Sequence, residues 1–134
     1  MKTLLLLLCT IITNEVFSQT FKISDIQYSG DISKEKIQKK KLQALDAKVK
    51  LTFYDNSVKI IIYDKDNEEK VEEYILDKTD KNNEYRADLK KGTITLKLKI
   101  WINYITSATL ETQSKKQYGT HTETRHVIAT LKRD

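Results

Sequence analysis

Val49-Lys50-Leu51-Thr52-Phe53-Tyr54-Asp55-Asn56-Ser57-Val58-Lys59-Ile60-Ile61-Ile62-Tyr63 is the stretch from which the architecture is read. Val49, Leu51 and Phe53 alternate with Lys50, Thr52 and Tyr54, so every second side chain belongs to one apolar face. Only an extended chain, with its side-chain period of two, gathers such a set on one side. Asp55-Asn56-Ser57 interrupts the pattern with residues that bond their own backbone and favour turns. Val58, Ile60 and Ile62 then resume it, with Lys59, Ile61 and Tyr63 opposite. This second run is apolar in part on both faces, which predicts an interior strand rather than an edge.

The same grammar recurs outward in both directions. Phe21 to Tyr28 reads as a strand with a phase slip between Phe21/Ile23 and Ile26/Tyr28. Val71 to Leu76 slips likewise, which predicts a bulge near Glu72-Glu73. Tyr85, Ala87 and Leu89 alternate with Glu84, Arg86 and Asp88. Ile94 through Tyr104 and on to Thr112 keeps one phase, too long for one ordinary strand, so a break or tight turn that preserves the phase is expected near Asn103 to Ser107. Trp101 and Ile105 then fall on the polar face. Ser114 to Thr120 reads as a loop, and Glu123 to Leu131 as a last strand with Val127, Ala129 and Leu131 inward. Residues 33–45 alone look helical, with Ile37, Leu42 and Leu45 on a thin apolar face and Ser33 placed to cap it. The expectation is a mainly β domain: an antiparallel meander of about seven or eight strands, closed as a small barrel or folded as a sandwich, with one short N-terminal helix.

Residues 1–18 carry a different signal. Lys2 precedes an apolar run from Leu4 to Ile12, and Val16 and Ser18 stand at the −3 and −1 positions of a cut before Gln19. That is the pattern of a cleavable export signal, and the run is about half the ~20 residues that span a bilayer. A lipoprotein reading would need a small residue before Cys9, where Leu8 stands. The expected division is a signal peptide over 1–18 and a single β domain over 19–134, exported to the periplasm or secreted. Lys2 and Glu15 cancel, so the domain keeps the formal charge of +5 of the whole chain. Cys9, the only cysteine, leaves with the signal, which excludes disulfides, thiolate nucleophiles and cysteine-ligated metal from the domain.

The run Leu51-Thr52-Phe53-Tyr54-Asp55-Asn56-Ser57-Val58 resembles the strand-turn-strand units of calycin, or lipocalin-like, barrels. A signal ending in Phe17-Ser18-Gln19 and a Lys/Ile/Asn/Thr-rich vocabulary resemble small exported proteins of Gram-negative, Bacteroidota-type bacteria. The first resemblance implies a ligand-holding barrel, the second a place in the cell envelope.

Chemical motifs are sparse. His121 and His126 are five apart, so a continuous strand sends them to opposite faces, and only His121 with Glu123 shares one. Asp64 to Glu69 spaces oxygen ligands as calcium loops do but lacks their turn glycine. Glu72 and Glu73 diverge, and no Gly-x-Ser-x-Gly elbow occurs. No catalytic residue, metal site or cofactor is expected, and the chain is read as a non-enzyme. Two surfaces stand out. Lys34, Lys36, Lys39, Lys40 and Lys41 form a basic cluster suited to a polyanion, an acidic glycan or an anionic membrane surface. Nucleic acid does not fit the compartment. Tyr54, Tyr63 and Trp101 are candidates for an aromatic ligand-binding platform. The functional expectation is an envelope binding module holding a small hydrophobic or glycan ligand in its barrel or sandwich. The alternative is an interaction protein docking on an envelope partner through a sheet edge or the lysine patch.

Overall fold

The computed structural model describes residues 17–102 and 104–134, so the expected export signal lies outside the described residues up to Val16. Eight strands close into an antiparallel barrel in simple sequence order: β1 (Phe17–Gly30), β2 (Lys48–Phe53), β3 (Ser57–Tyr63), β4 (Lys70–Lys78), β5 (Glu84–Leu89), β6 (Gly92–Trp101), β7 (Tyr104–Tyr118) and β8 (His121–Arg133), with β8 returning to β1. Of the two architectures left open by the sequence, the barrel is the one formed. Closure gives every strand two neighbours, and the edge it leaves open is Lys70–Leu76 of β4, which pairs with β3 but not with β5. The single helix among the described residues, α1 (Lys34–Ala44), follows the first strand and lies between β1 and β2, so it is not strictly N-terminal.

Because neighbours alternate in direction, the barrel has two rims. The rim where β1 begins also carries the β2–β3, β4–β5 and β6–β7 turns; the other carries α1 and the β3–β4, β5–β6 and β7–β8 turns. We call them the N-terminal rim and the helix rim. Phe17 and Ser18, on the signal side of the expected cut, belong to β1 and pair with Phe53 and Thr52.

The alternation read from the sequence is the inside–outside alternation of the barrel. Phe21, Val49, Leu51, Val58, Ile60, Leu76, Leu96 and Leu131 are fully buried and form one cluster with Phe53, Tyr85, Ile94 and Leu110. Burying such side chains is worth about 1.5–3 kcal/mol each before the entropy of ordering them, which is what a domain without disulfides has to fold on. Thr52 is the one buried polar residue described, and it meets Ser18 hydroxyl to hydroxyl at 3.0 Å.

Each phase slip has a physical cause. In β1, Ser24 is an extra residue between the pairs Ile23/Leu131 and Asp25/Thr130. In β4 the extra residue is Val71, adjacent to the expected position, where Ile62 pairs with Glu72 and Tyr63 with Lys70. The long β6–β7 run breaks at a hairpin between Trp101 and Tyr104. A bulge there leaves Thr106 unpaired, donating its hydroxyl to the Lys99 carbonyl at 3.0 Å. The turn reverses the phase, and the bulge restores it, so that Ala108 and Leu110 again face inward as even-numbered positions. Ile105, placed on the polar face by simple counting, therefore turns inward opposite Ile100 and is buried. Ser114 to Thr120 is not a loop: β7 runs to Tyr118 and pairs with β8 through Tyr118–His121.

Two joints are thin. β4 and β5 pair only at Asp77–Arg86 and Lys78–Tyr85. Helix α1 buries no residue and packs mainly against β1. Ser33 caps it by accepting from the Lys36 N–H at 3.4 Å, but Leu42, read as part of its apolar face, is 65% exposed. The helix is held at its far end by Lys65, whose Nζ donates to the Leu42 carbonyl at 2.8 Å.

Candidate functional site

Outward-facing residues of β5, β6 and β7 line two adjoining shallow hollows, together a groove on the outside of the barrel. Inward positions Tyr85, Ile94, Leu96 and Leu110 fix the phase, which sends Glu84, Arg86, Thr93, Thr95, Lys97, Glu111 and Gln113 to the outside. These seven line a hollow of about 200 Å³. A second, larger hollow of about 650 Å³ shares Thr93 and Gln113 and continues past the β5–β6 turn along the β7–β8 hairpin, where Lys90, Lys91, Lys115, Gln117 and Thr122 line it.

Register explains why the lysines converge. Gly92 pairs with Ser114, and the Lys115 N–H donates to the Lys91 carbonyl at 2.7 Å, which brings Lys90 and Lys91 beside Lys115, distant in sequence. Gly92 permits the approach, since a Cβ there would stand 1.8 Å from the Gln113 carbonyl oxygen. Lys90, Lys91 and Lys115 are exposed and have no carboxylate within ion-pair distance among the described residues. The groove thus runs from a mixed end, where Glu84 accepts from the Thr79 hydroxyl at 2.9 Å, to a purely basic one.

His126 reaches the groove from β8. Its Nε2–H donates to Glu111 Oε1 at 2.6 Å, a diagonal cross-strand contact, because Glu111 itself pairs with Ile128 and His126 with Gln113. This hydrogen bond holds the Glu111 carboxyl below its ordinary value, against a smaller opposing effect of desolvation. A carboxyl depressed in the folded state stabilises the fold above its unfolded value and loses that contribution as pH falls through the folded one. Replacing Glu111 with Gln should therefore leave stability at neutral pH lower by under about 1 kcal/mol, as for other partly exposed pairs. It should also flatten the loss of stability below about pH 4.5, read by urea titrations across that range.

Inside the helix rim a second polar group sits on inward-facing positions. The Tyr74 hydroxyl donates to Glu72 Oε2 at 2.6 Å, and burial, followed by that bond and the Glu72 charge, pushes its pKa up to about 12. Tyr28 is raised by burial and then by Glu72. These are held phenols rather than poised acids or bases, since neither ionises near neutrality.

The residues singled out from the sequence are dispersed. Tyr54 lies beyond β2 at the N-terminal rim, Tyr63 ends β3 at the helix rim, and Trp101 ends β6 at the N-terminal rim, so the three do not converge. Lys34, Lys36, Lys39, Lys40 and Lys41 lie on α1, beside β1 and four strands around the barrel from β5. Asp64 and Asn67 spend their side-chain oxygens on turn N–H groups of Asp66, Asn67 and Glu69 at 2.8–3.3 Å. His121 and Glu123 share a face at 4.0 Å. No cluster of three metal-ligating side chains occurs, and no helix is long and apolar enough to cross a membrane, among the described residues. The groove lysines escaped sequence reasoning because each pair, Lys90-Lys91 and Lys115-Lys116, reads locally as turn solvation. No family model, curated protein or solved structure matches the chain.

Proposed function

We propose that the chain is a non-enzymatic binding module of the cell envelope whose barrel is a scaffold, and that its ligand, an acidic glycan, lies along the outer groove of β5–β7. The observation that carries this reading is the sharing of Thr93 and Gln113 by the two hollows, which joins a floor of mixed charge, with Arg86 and Lys97 beside Glu84 and Glu111, to a three-lysine end. Sugar hydroxyls need partners that donate and accept, which threonine, glutamine and glutamate supply, and the acidic substituents meet Lys90, Lys91 and Lys115. The inward apolar side chains form one contiguous core, which favours a ligand met on the outside over the small hydrophobic one that a calycin-like cup would hold. Export, expected from residues 1–18, places the module where such polymers occur.

Calorimetric titration with polygalacturonate, a polyanionic glycan, and with neutral dextran tests this. Polygalacturonate should bind and weaken steeply with added salt, while dextran should not bind. Reversing Lys91 and Lys115 to Glu should weaken binding roughly tenfold or more, at up to about 1 kcal/mol per exposed charge. Equal binding of both polymers, or none, would sink the proposal.

One observation favours a second reading, docking of a protein partner by strand addition. The segment Lys70–Leu76 is paired to β3 but not to β5, and Val71 and Ile75 on its outer face are exposed. An extended peptide from an envelope partner would complete that edge. Ile75→Lys should abolish such a complex and leave polygalacturonate binding intact.

A further inference from the structure

We propose that the β6–β7 tip is a membrane-contact site that seats Trp101 and Ile102 in the interface of a lipid surface bearing anionic headgroups. The tip exposes Ile100, Trp101, Ile102 and Tyr104, with Trp101 61% and Ile102 71% accessible. Trp101 pairs with Tyr104, so Ile102 stands in a tight connection between the two strands. Two-residue hairpins demand positive φ and normally use asparagine, aspartate or glycine there. Here a β-branched residue takes the strained place, Ile102 at φ 58°, where such a side chain is an outlier. Every other residue described with positive φ is an aspartate, glutamate, asparagine or glycine. Strain and exposed apolar surface thus coincide on one residue, the combination that marks a surface kept for contact.

The charge behind the tip identifies the occupant. Lys99 pairs with Ser107, Ser107 with Lys132, and Lys132 with Lys22, one outward-facing row across four strands. Lys132 and Lys22 stand directly opposite each other, an arrangement that costs stability in an antiparallel pair. Lys22 is matched by Asp134 at 3.3 Å, whereas Lys99, Lys132 and Arg133 have no carboxylate within ion-pair distance among the described residues. The Arg133 guanidinium lies 5.5 Å from the Tyr104 ring centroid, which ties the basic flank to the aromatic tip. Tryptophan and tyrosine favour the lipid–water boundary, and lysine and arginine beside it gain from anionic headgroups. A second copy docked tip to tip would bring the two basic flanks together, which opposes self-association.

Trp101 is the sole tryptophan, so its emission reads the tip alone, free of any membrane affinity of the apolar run at residues 4–12. The protein is titrated with vesicles of brominated phosphatidylcholine, with and without phosphatidylglycerol. Trp101 emission should shift blue and be quenched on the anionic vesicles. Lys99→Gln and Lys132→Gln should each raise the lipid concentration for half-maximal quenching by about fivefold at low salt. Ile102→Asn, which suits a positive φ, should raise the melting temperature and yet weaken quenching by about tenfold. Unquenched emission on anionic vesicles, undiminished quenching in Ile102→Asn, or a blue shift that grows with protein concentration in the absence of lipid would each overturn the assignment.

Discussion

Replacing Phe21 with alanine should lower the stability of the barrel by about 3–5 kcal/mol, the usual cost of removing a large buried ring. Phe21 is fully buried in β1, between Val49 on β2 and Arg133 on β8 by register, and belongs to the one contiguous core. Truncation removes its transfer free energy and leaves a cavity that neighbours pinned in eight hydrogen-bonded strands cannot collapse. Against a total stability of order 5–15 kcal/mol, the loss is a large fraction. It is measured by urea unfolding, with the midpoint falling and the slope preserved. The result also bears on function. A barrel whose interior is scaffold gives the full penalty, with polygalacturonate binding retained wherever the variant is folded. A penalty under about 1 kcal/mol would mean that the interior tolerates empty space, as a ligand-holding cup must, and would shift the proposal from the outer groove to the barrel interior.

The alternation that places Phe21 inside was legible in the sequence because inside and outside differ in chemistry at every second residue. Val49, Leu51, Val58, Ile60, Leu96, Ala129 and Leu131 needed no more than that period, and all are buried. Ile105 was not legible, because the turn between Trp101 and Tyr104 reverses the phase and the bulge at Thr106 restores it two residues later, and bulges leave little trace in composition. Closure was not legible either: the β1–β8 ladder joins the two ends of the chain, and no local pattern announces a partner a hundred residues away. The same limit hid the groove. Lys91 with Lys115, and Glu111 with His126, meet through register across strands, so their spacing says nothing of proximity. The converse holds for Lys34 to Lys41, conspicuous in sequence because a helix packs them in a row, though α1 carries no buried residue. Trp101 was visible as an anomaly on a polar face, and the structure adds what surrounds it: an exposed tip, a strained neighbour and unmatched lysines.

Gly30→Ala should destabilise the fold by about 3 kcal/mol, three times the cost of Gly119→Ala, although both glycines have positive φ. At Gly119, φ is 59° and an added methyl meets nothing within 4 Å, so only the left-handed backbone penalty applies, about 1 kcal/mol. At Gly30, φ is 101° and a Cβ would lie 2.2 Å from the Thr124 carbonyl oxygen. That oxygen is not free to move. It accepts the Asp31 N–H at 2.9 Å, while the Thr124 N–H donates to Asp31 Oδ2 at 2.9 Å. Gly30 is therefore the point at which β1 leaves the barrel for α1 while still clasped to β8. Relieving the clash means opening that clasp, which adds about 1–3 kcal/mol of overpacking to the backbone term. Urea unfolding of the two variants side by side isolates the contact, since the difference between them removes the common glycine effect on the unfolded chain. Amide exchange would locate it: protection should fall at Asp31 and Thr124 in Gly30→Ala and remain at Leu96 and Leu131 in the core. Equal losses in the two variants would show that the clasp is slack and that α1 is not anchored through it.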